Sequence, residues 1–196
     1  VPFAREIGST GTYLLPTVVH LNSQHVFSLA GPGTEFRGLK EHLMGLAGNR
    51  AADDVDKRKD LMPHIYAYLA LVFREVRAWF MEEHEDKYRG LEILWRVNVG
   101  LPASRYDQRH MPELYKSAVR RAWFLSIQPA PVSANLATAV RQLGQVPENN
   151  QGVLSRDSVE AFPEVVGAVQ GYAKSPQRGD GLYLLVDVGA TTLDVT

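Results

Sequence analysis

The chain has 196 residues, 45% hydrophobic and 22% charged, and its 21 basic and 22 acidic side chains leave a formal net charge of -1. That balance excludes a disordered chain and any general attraction to nucleic acid, and the absence of cysteine excludes disulfide scaffolds, thiol catalysis and Cys-based metal sites. No apolar run reaches the about 20 residues of a membrane span, and no signal peptide pattern is visible, so a cytoplasmic domain is expected.

In chain order, residues 1–31 read as strands with a turn at residues 8–11. Asn22, Ser23 and Gln24 form a hairpin loop, and Gly31-Pro32-Gly33 ends the hairpin. A short helix is predicted over roughly 36–44. Residues 48–60 carry Asp53, Asp54, Asp56, Lys57, Arg58, Lys59 and Asp60, and read as a solvated loop. The strongest helix covers 61–84: Leu61, Ile65, Leu69, Val72, Val76 and Phe80 form a stripe that Tyr68, Phe73 and Trp79 widen, as a core-facing helix requires. Arg74, Glu75 and Arg77 interrupt its apolar run. Further on, Asp107 is a natural N-cap for a helix in which Leu114, Ala118, Ala122 and Leu125 recur at helical spacing. Residues 126–158 hold many loop signals (Pro129, Pro131, Gly144, Pro147, Gly152), with room for one short helix at 133–143. This stretch suits either a partner-binding insertion or a surface excursion. The histidines at 20, 25, 42, 64, 84 and 110 lack metal-ligand spacing, and the acidic run Glu82 to Asp86 reads as a solvated helix end.

The last residues carry the most chemistry. Leu182 to Val186 is an apolar, β-forming run preceded by the turn signals Gly179, Asp180 and Gly181, and reads as a buried strand. Asp187 at its end can hold a hydrated divalent cation. Gly189 and Ala190 allow a tight turn whose N–H groups can approach a phosphate, and Thr191 and Thr192 add hydroxyls. Leu193 and Val195 alternate with Asp194 and Thr196, as in a strand returning antiparallel. An ordinary β-hairpin with a polar turn has the same composition. The chain stops before that strand is complete, so a fragment is expected.

Asp187-Val-Gly-Ala-Thr-Thr-Leu-Asp194 resembles the second phosphate-binding loop of the actin-like ATPase superfamily, and most closely that of the DnaK-type heat-shock chaperones, Asp-aliphatic-Gly-Gly-Gly-Thr-x-Asp. Ala190 and Thr191 replace two of the glycines. Other landmarks follow the family's order. Leu15 to Leu21 is similar to its strand Thr-Pro-Ser-x-Val-x-Phe, and Phe36 to Gly45 to its lysine-bearing segment, which makes Lys40 the counterpart of the lysine that reaches the γ-phosphate. Trp95 to Ala103 resembles the strand ending in Val-Pro-Ala, and Asp107-Gln108-Arg109 the helix start after it. Phe162 to Gly171 resembles the helix Glu-Pro-x-Ala-Ala-Ala, which Pro163 would begin. The family's acid before that proline is Phe162 here, and Glu160 lies two residues earlier.

The resemblance implies an α/β, ribonuclease H-like or actin-like fold, a mixed sheet flanked by helices, amounting to most of lobe I, with an insertion at about 126–158. The first phosphate loop and the second lobe fall outside the 196 residues. In the intact protein ATP and Mg²⁺ would sit between the lobes. Asp187 and Asp194 would order the metal's water shell, residues Gly189, Ala190, Thr191 and Thr192 would hold the phosphates, Lys40 would offset γ-phosphate charge, and Glu160 stands in for the missing acid. Hydrolysis would switch the lobes in a chaperone-like role, with an unknown client or co-chaperone. These residues alone, without the adenosine site, are expected to be inactive. Alternatives are a filament-forming, segregation or pilus ATPase, or a non-hydrolysing interaction scaffold. A truncated final strand would leave an edge open to self-association.

Overall fold

The computed structural model describes residues 15–47, 55–102, 106, 110–147, 152–176, 186–188 and 193–195. The N-terminal hairpin is present. Strands β1 (Val19–Leu21), β2 (Phe27–Ser28) and β3 (Thr34–Phe36) form an antiparallel sheet in the order β2-β1-β3. Asn22 makes the β1–β2 turn, because its Oδ1 accepts the N–H groups of Gln24 (2.9 Å) and Val26 (3.0 Å). Gly33 is needed where β3 returns: with φ 149°, a Cβ there would lie 2.5 Å from the Leu21 carbonyl oxygen.

Helices α1 (Leu39–Ala47), α2 (Val55–Glu83) and α3 (Glu85–Tyr88) follow. The α2 helix starts six residues before its apolar stripe. The charged residues read as a loop are therefore partly helical, since a polar turn can continue a helix without leaving an apolar period. Burial along α2 also differs from the stripe. Ile65, Tyr66, Ala67 and Ala70 are its buried apolar positions, whereas Leu69, Val72 and Val76 are half-buried. The cause is that α1, α4 and α5 all pack around α2, so its first half is covered on several sides, and alanines let neighbouring helices come close.

Strand β4 (Val97–Leu101) leads into α4 (His110–Ser126) and α5 (Ala134–Gln142), then a 3₁₀ turn (Arg156–Ser158), β5 (Val159–Pro163) and α6 (Glu164–Ala173). β4 and β5 pair in parallel, from Val97 opposite Val159 to Leu101 opposite Pro163, so the stretch from β4 to β5 is a βαβ crossover. The buried face of α4 includes Met111, Tyr115, Ala118, Val119, Ala122 and Trp123, while Leu114 is only partly covered. Strands β6 (Val186–Val188) and β7 (Leu193–Val195) pair antiparallel, as the alternation of Leu193 and Val195 predicted. The chain is thus mixed α/β. Its described strands lie in three small sheets rather than in one.

Residues 126–158 are no surface excursion where they are described. The α5 helix, N-capped by Ser133, contributes Ala137 and Val140 to the main core beside Val132. The Phe27 N–H donates to the Val132 carbonyl (2.8 Å), and the Ala134 N–H to the His25 carbonyl (2.9 Å). Arg121 donates to the carbonyls of Val140 (2.6 Å) and Leu143 (2.8 Å) at the C-terminal end of α5, where a cation also meets the helix dipole. The loop signals were real, but the long-range contacts that bury the helix between them leave no local trace.

Candidate functional site

Parallel strands place their C-terminal ends at one edge, and the helix after β5 begins there. Crevices at such edges are the usual ligand sites of α/β folds. Here Leu101 and Pro163 end the pair, and Glu164 is the first residue of α6. Its carboxylate Oε1 accepts from Lys40 Nζ on α1 at 2.5 Å. The pair is accessible, with side-chain exposures of 47% for lysine and 27% for glutamate, so its own contribution to stability is small.

Gly100 makes room for this arrangement. A Cβ on Gly100 would lie 2.9 Å from Glu164 Cγ, so any side chain there pushes the glutamate aside. Gly100→Ala is therefore expected to loosen the Lys40–Glu164 pair while leaving the fold intact. Lys40 acylation, followed by mass spectrometry, should speed up roughly two- to fivefold, the range a half-exposed ion pair allows. An unchanged rate would reject the steric argument.

A cavity of about 210 Å³ opens beside the pair, lined by Lys40 and Glu164 together with Thr17, Tyr68, Gly100 and Tyr115 and by aliphatic side chains. Tyr115 is 5% exposed, and its hydroxyl has no hydrogen-bond partner among the described residues. Burial, and then the negative charge of Glu164, push its phenol up to about 12. Burial also raises Tyr68, against the lowering effect of a hydrogen bond with Thr17. The cavity thus offers one accessible ammonium, one carboxylate and one buried donor between apolar walls. The two charges offset one another, and the set suits a polar group that competes for Lys40 from the open side.

The residues expected to act fall in different places. Lys40 is in this site. Glu160 is not: it sits near the start of β5 opposite Asn98, with its carboxylate 3.6 Å from Lys116 Nζ, and lines a separate polar cavity of about 350 Å³ with Arg120, Arg121 and Arg156. The acid that meets Lys40 is Glu164, on the other side of Pro163 from Glu160. Asp187 and Asp194 stand directly opposite one another in the β6–β7 register. Gly189, Ala190, Thr191 and Thr192 lie outside the described residues, as do Asp107, Gln108 and Arg109. The acidic run at residues 82–86 ends α2 and forms α3, where Glu85 and Asp86 bond Arg89. Among the described residues, no group of three or more His, Asp or Glu side chains is arranged to hold a metal, and no helix is long and apolar enough to cross a membrane.

Sequence reasoning missed Glu164, Tyr115, Thr17 and Tyr68. Pro163 does not begin the helix as expected but ends β5 opposite Leu101, and the helix starts at Glu164. A signal for Glu164 was still present: an acid directly after such a proline falls in the first turn of the helix, where the dipole favours it. Comparison with protein-family models, with curated proteins and with solved structures found no match to this chain.

Proposed function

We propose that this chain is the phosphate-binding lobe of an actin-like ATPase, resembling the DnaK-type chaperones, which binds ATP with Mg²⁺ and uses hydrolysis to switch conformation. The observation that carries the reading is the position of Lys40: an accessible ammonium, held by Glu164, at the C-terminal edge of a parallel strand pair beside a cavity. The βαβ crossover and the hairpin register that sets Asp187 opposite Asp194 are further support, since the resemblance places both acids in one phosphate-binding loop.

In this reading the residues divide the work simply. Lys40 meets phosphate oxygens and offsets their charge. Asp187 and Asp194 would hold hydrated Mg²⁺, which on binding neutralises the phosphates and orients the terminal one. Gly189, Ala190, Thr191 and Thr192 would supply backbone and hydroxyl donors to the same groups. Glu164 keeps Lys40 extended toward the strand ends when no phosphate is bound.

The test is titration of the 196-residue chain with Mg²⁺-tripolyphosphate and with Mg²⁺-ATP, read by calorimetry and phosphorus NMR. Saturable binding is expected for the triphosphate. Lys40→Gln should weaken it about tenfold, the usual loss for a charge-assisted hydrogen bond. Absence of saturable binding, or equal binding by Lys40→Gln, would overturn the reading.

A further inference from the structure

Glu164 is bonded to Lys40, and Lys40 is the group that the proposed function commits to a phosphate. A phosphate that claims Lys40 strips Glu164 of its cation and places a second anion beside it. A partly buried carboxylate stripped of its cation beside a second anion is stabilised by any new donor that reaches it. The donor is already there. The Tyr115 hydroxyl is buried, lacks a hydrogen-bond partner among the described residues, and belongs to the same cavity wall as Lys40 and Glu164. Tyr115 and Glu164 line one cavity of only about 210 Å³, and the negative charge of Glu164 adds to burial in raising the phenol. Gly100, with no side chain, is what lets the Glu164 stem lie against β4 at all, since a Cβ there would meet its Cγ at 2.9 Å.

We propose that Tyr115 is a positioning residue: its hydroxyl takes over the Glu164 carboxylate when Lys40 is drawn to an anionic phosphate or loses its charge. Glu164 then has two alternative partners, and the ligand-free protein keeps the weaker one unsatisfied. The phosphate half of this inference rests on the proposed function; the exchange of partners does not. An unpartnered buried hydroxyl is a cost in the resting state, and the bond to a displaced carboxylate recovers it in the bound state. The exchange therefore favours ligand binding, and it contributes most when the displaced charge has no other outlet.

The experiment uses the full chain with ¹³Cζ-tyrosine. In ligand-free Lys40→Gln, Glu164 has lost its cation, and the Tyr115 resonance should move downfield as its hydroxyl donates to a carboxylate. Lys40→Gln combined with Glu164→Gln should cancel much of that shift. Lys40→Met is a second route to the same state, and since Lys40 is half-exposed neither substitution threatens the fold. An unmoved resonance in both Lys40 variants would overturn the inference and leave the phosphate reading standing. Addition of Mg²⁺-tripolyphosphate to the wild-type chain should produce the same downfield shift. A shift in Lys40→Gln with no response of the wild type to tripolyphosphate would keep the partner exchange and remove the phosphate reading. Tyr115→Phe should bind tripolyphosphate about tenfold more weakly while resisting urea as well as the wild type or better. A merely structural tyrosine would show the opposite pattern, with lower stability and unchanged affinity, and that result would also overturn the inference.

Discussion

Trp123→Ala is expected to lower the unfolding free energy by about 4 kcal/mol, the cost typical of truncating a buried indole. Trp123 is 2% exposed and forms a second core with Val119, Leu154 and Val159. Its ring packs at 5.3 Å from Phe73 and 5.9 Å from Trp95, and the Arg77 guanidinium lies 4.8 Å from its centroid. Its indole N–H donates to the Gly152 carbonyl at 2.7 Å. Alanine would leave a void where α2, α4 and β5 meet, and would strip that carbonyl of its donor in a segment with left-handed backbone at Gly152 (φ 83°). Trp123→Phe separates the two losses: it keeps most of the packing and drops the hydrogen bond, for about 1–2 kcal/mol. Urea unfolding followed by circular dichroism reads both. A loss below about 1 kcal/mol for the alanine variant would mean that this second core collapses onto the void. Because β5 carries Val159 in this core and Glu164 just beyond its end, the alanine variant should also loosen the Lys40–Glu164 pair.

The contrast between Trp123 and Glu164 shows which parts of this fold were legible. Helices α2 and α4 declared themselves through apolar periodicity, and the β6–β7 pair through alternation, because burial on one side writes a period into the chain. Which apolar residues would be deepest was not legible. Ala67 and Ala70 on α2, a helix packed by α1, α4 and α5, are more buried than Leu69, and Tyr115 rather than Leu114 faces inward on α4. Neither follows from a helical wheel without knowing the neighbours. The site was half legible. Lys40 stood out through a resemblance in chain order. Its partner did not, because Glu160 and Glu164 are both acids near Pro163, and only the parallel register shows that one lies at the start of the strand and the other beyond its end at the crevice. Tyr115 had no signal at all, since an unpartnered hydroxyl is a property of the packed state.

Arg74 and Arg77 look in the sequence like interruptions of an apolar helix. In the structure they fasten it to the C-terminal end of α4. Arg74 Nε donates to the Ser126 carbonyl at 3.0 Å, and its Nη2 to the carbonyls of Gln128 (2.7 Å) and Ala130 (2.8 Å). Arg77 adds a bond to Ser126 at 3.2 Å. These carbonyls lie at and just beyond the C-terminal end of α4, where no further helical N–H exists to meet them and where the helix dipole is negative. Pro129 and Pro131 flank Ala130 and have no N–H of their own, so the chain cannot satisfy this stretch locally. Burial lowers the affinity of both guanidinium groups for protons, yet arginine stays charged under all ordinary conditions. Arg74→Met, which keeps the aliphatic stem, is expected to cost about 3 kcal/mol, because it removes a forked donor from several part-buried acceptors at once. Arg74→Lys should recover less than half of that, since an ammonium cannot span acceptors spread over five residues. The accompanying signature is local: amide exchange in α5 should accelerate more than exchange in α1, because residues 126–133 are the strap that carries α5 onto the core. A variant within about 0.5 kcal/mol of wild type, with α5 exchange unchanged, would show that water replaces the guanidinium at no cost. The double variant with Arg77→Met should lose less than the sum of the two single losses, because both guanidinium groups serve the Ser126 carbonyl.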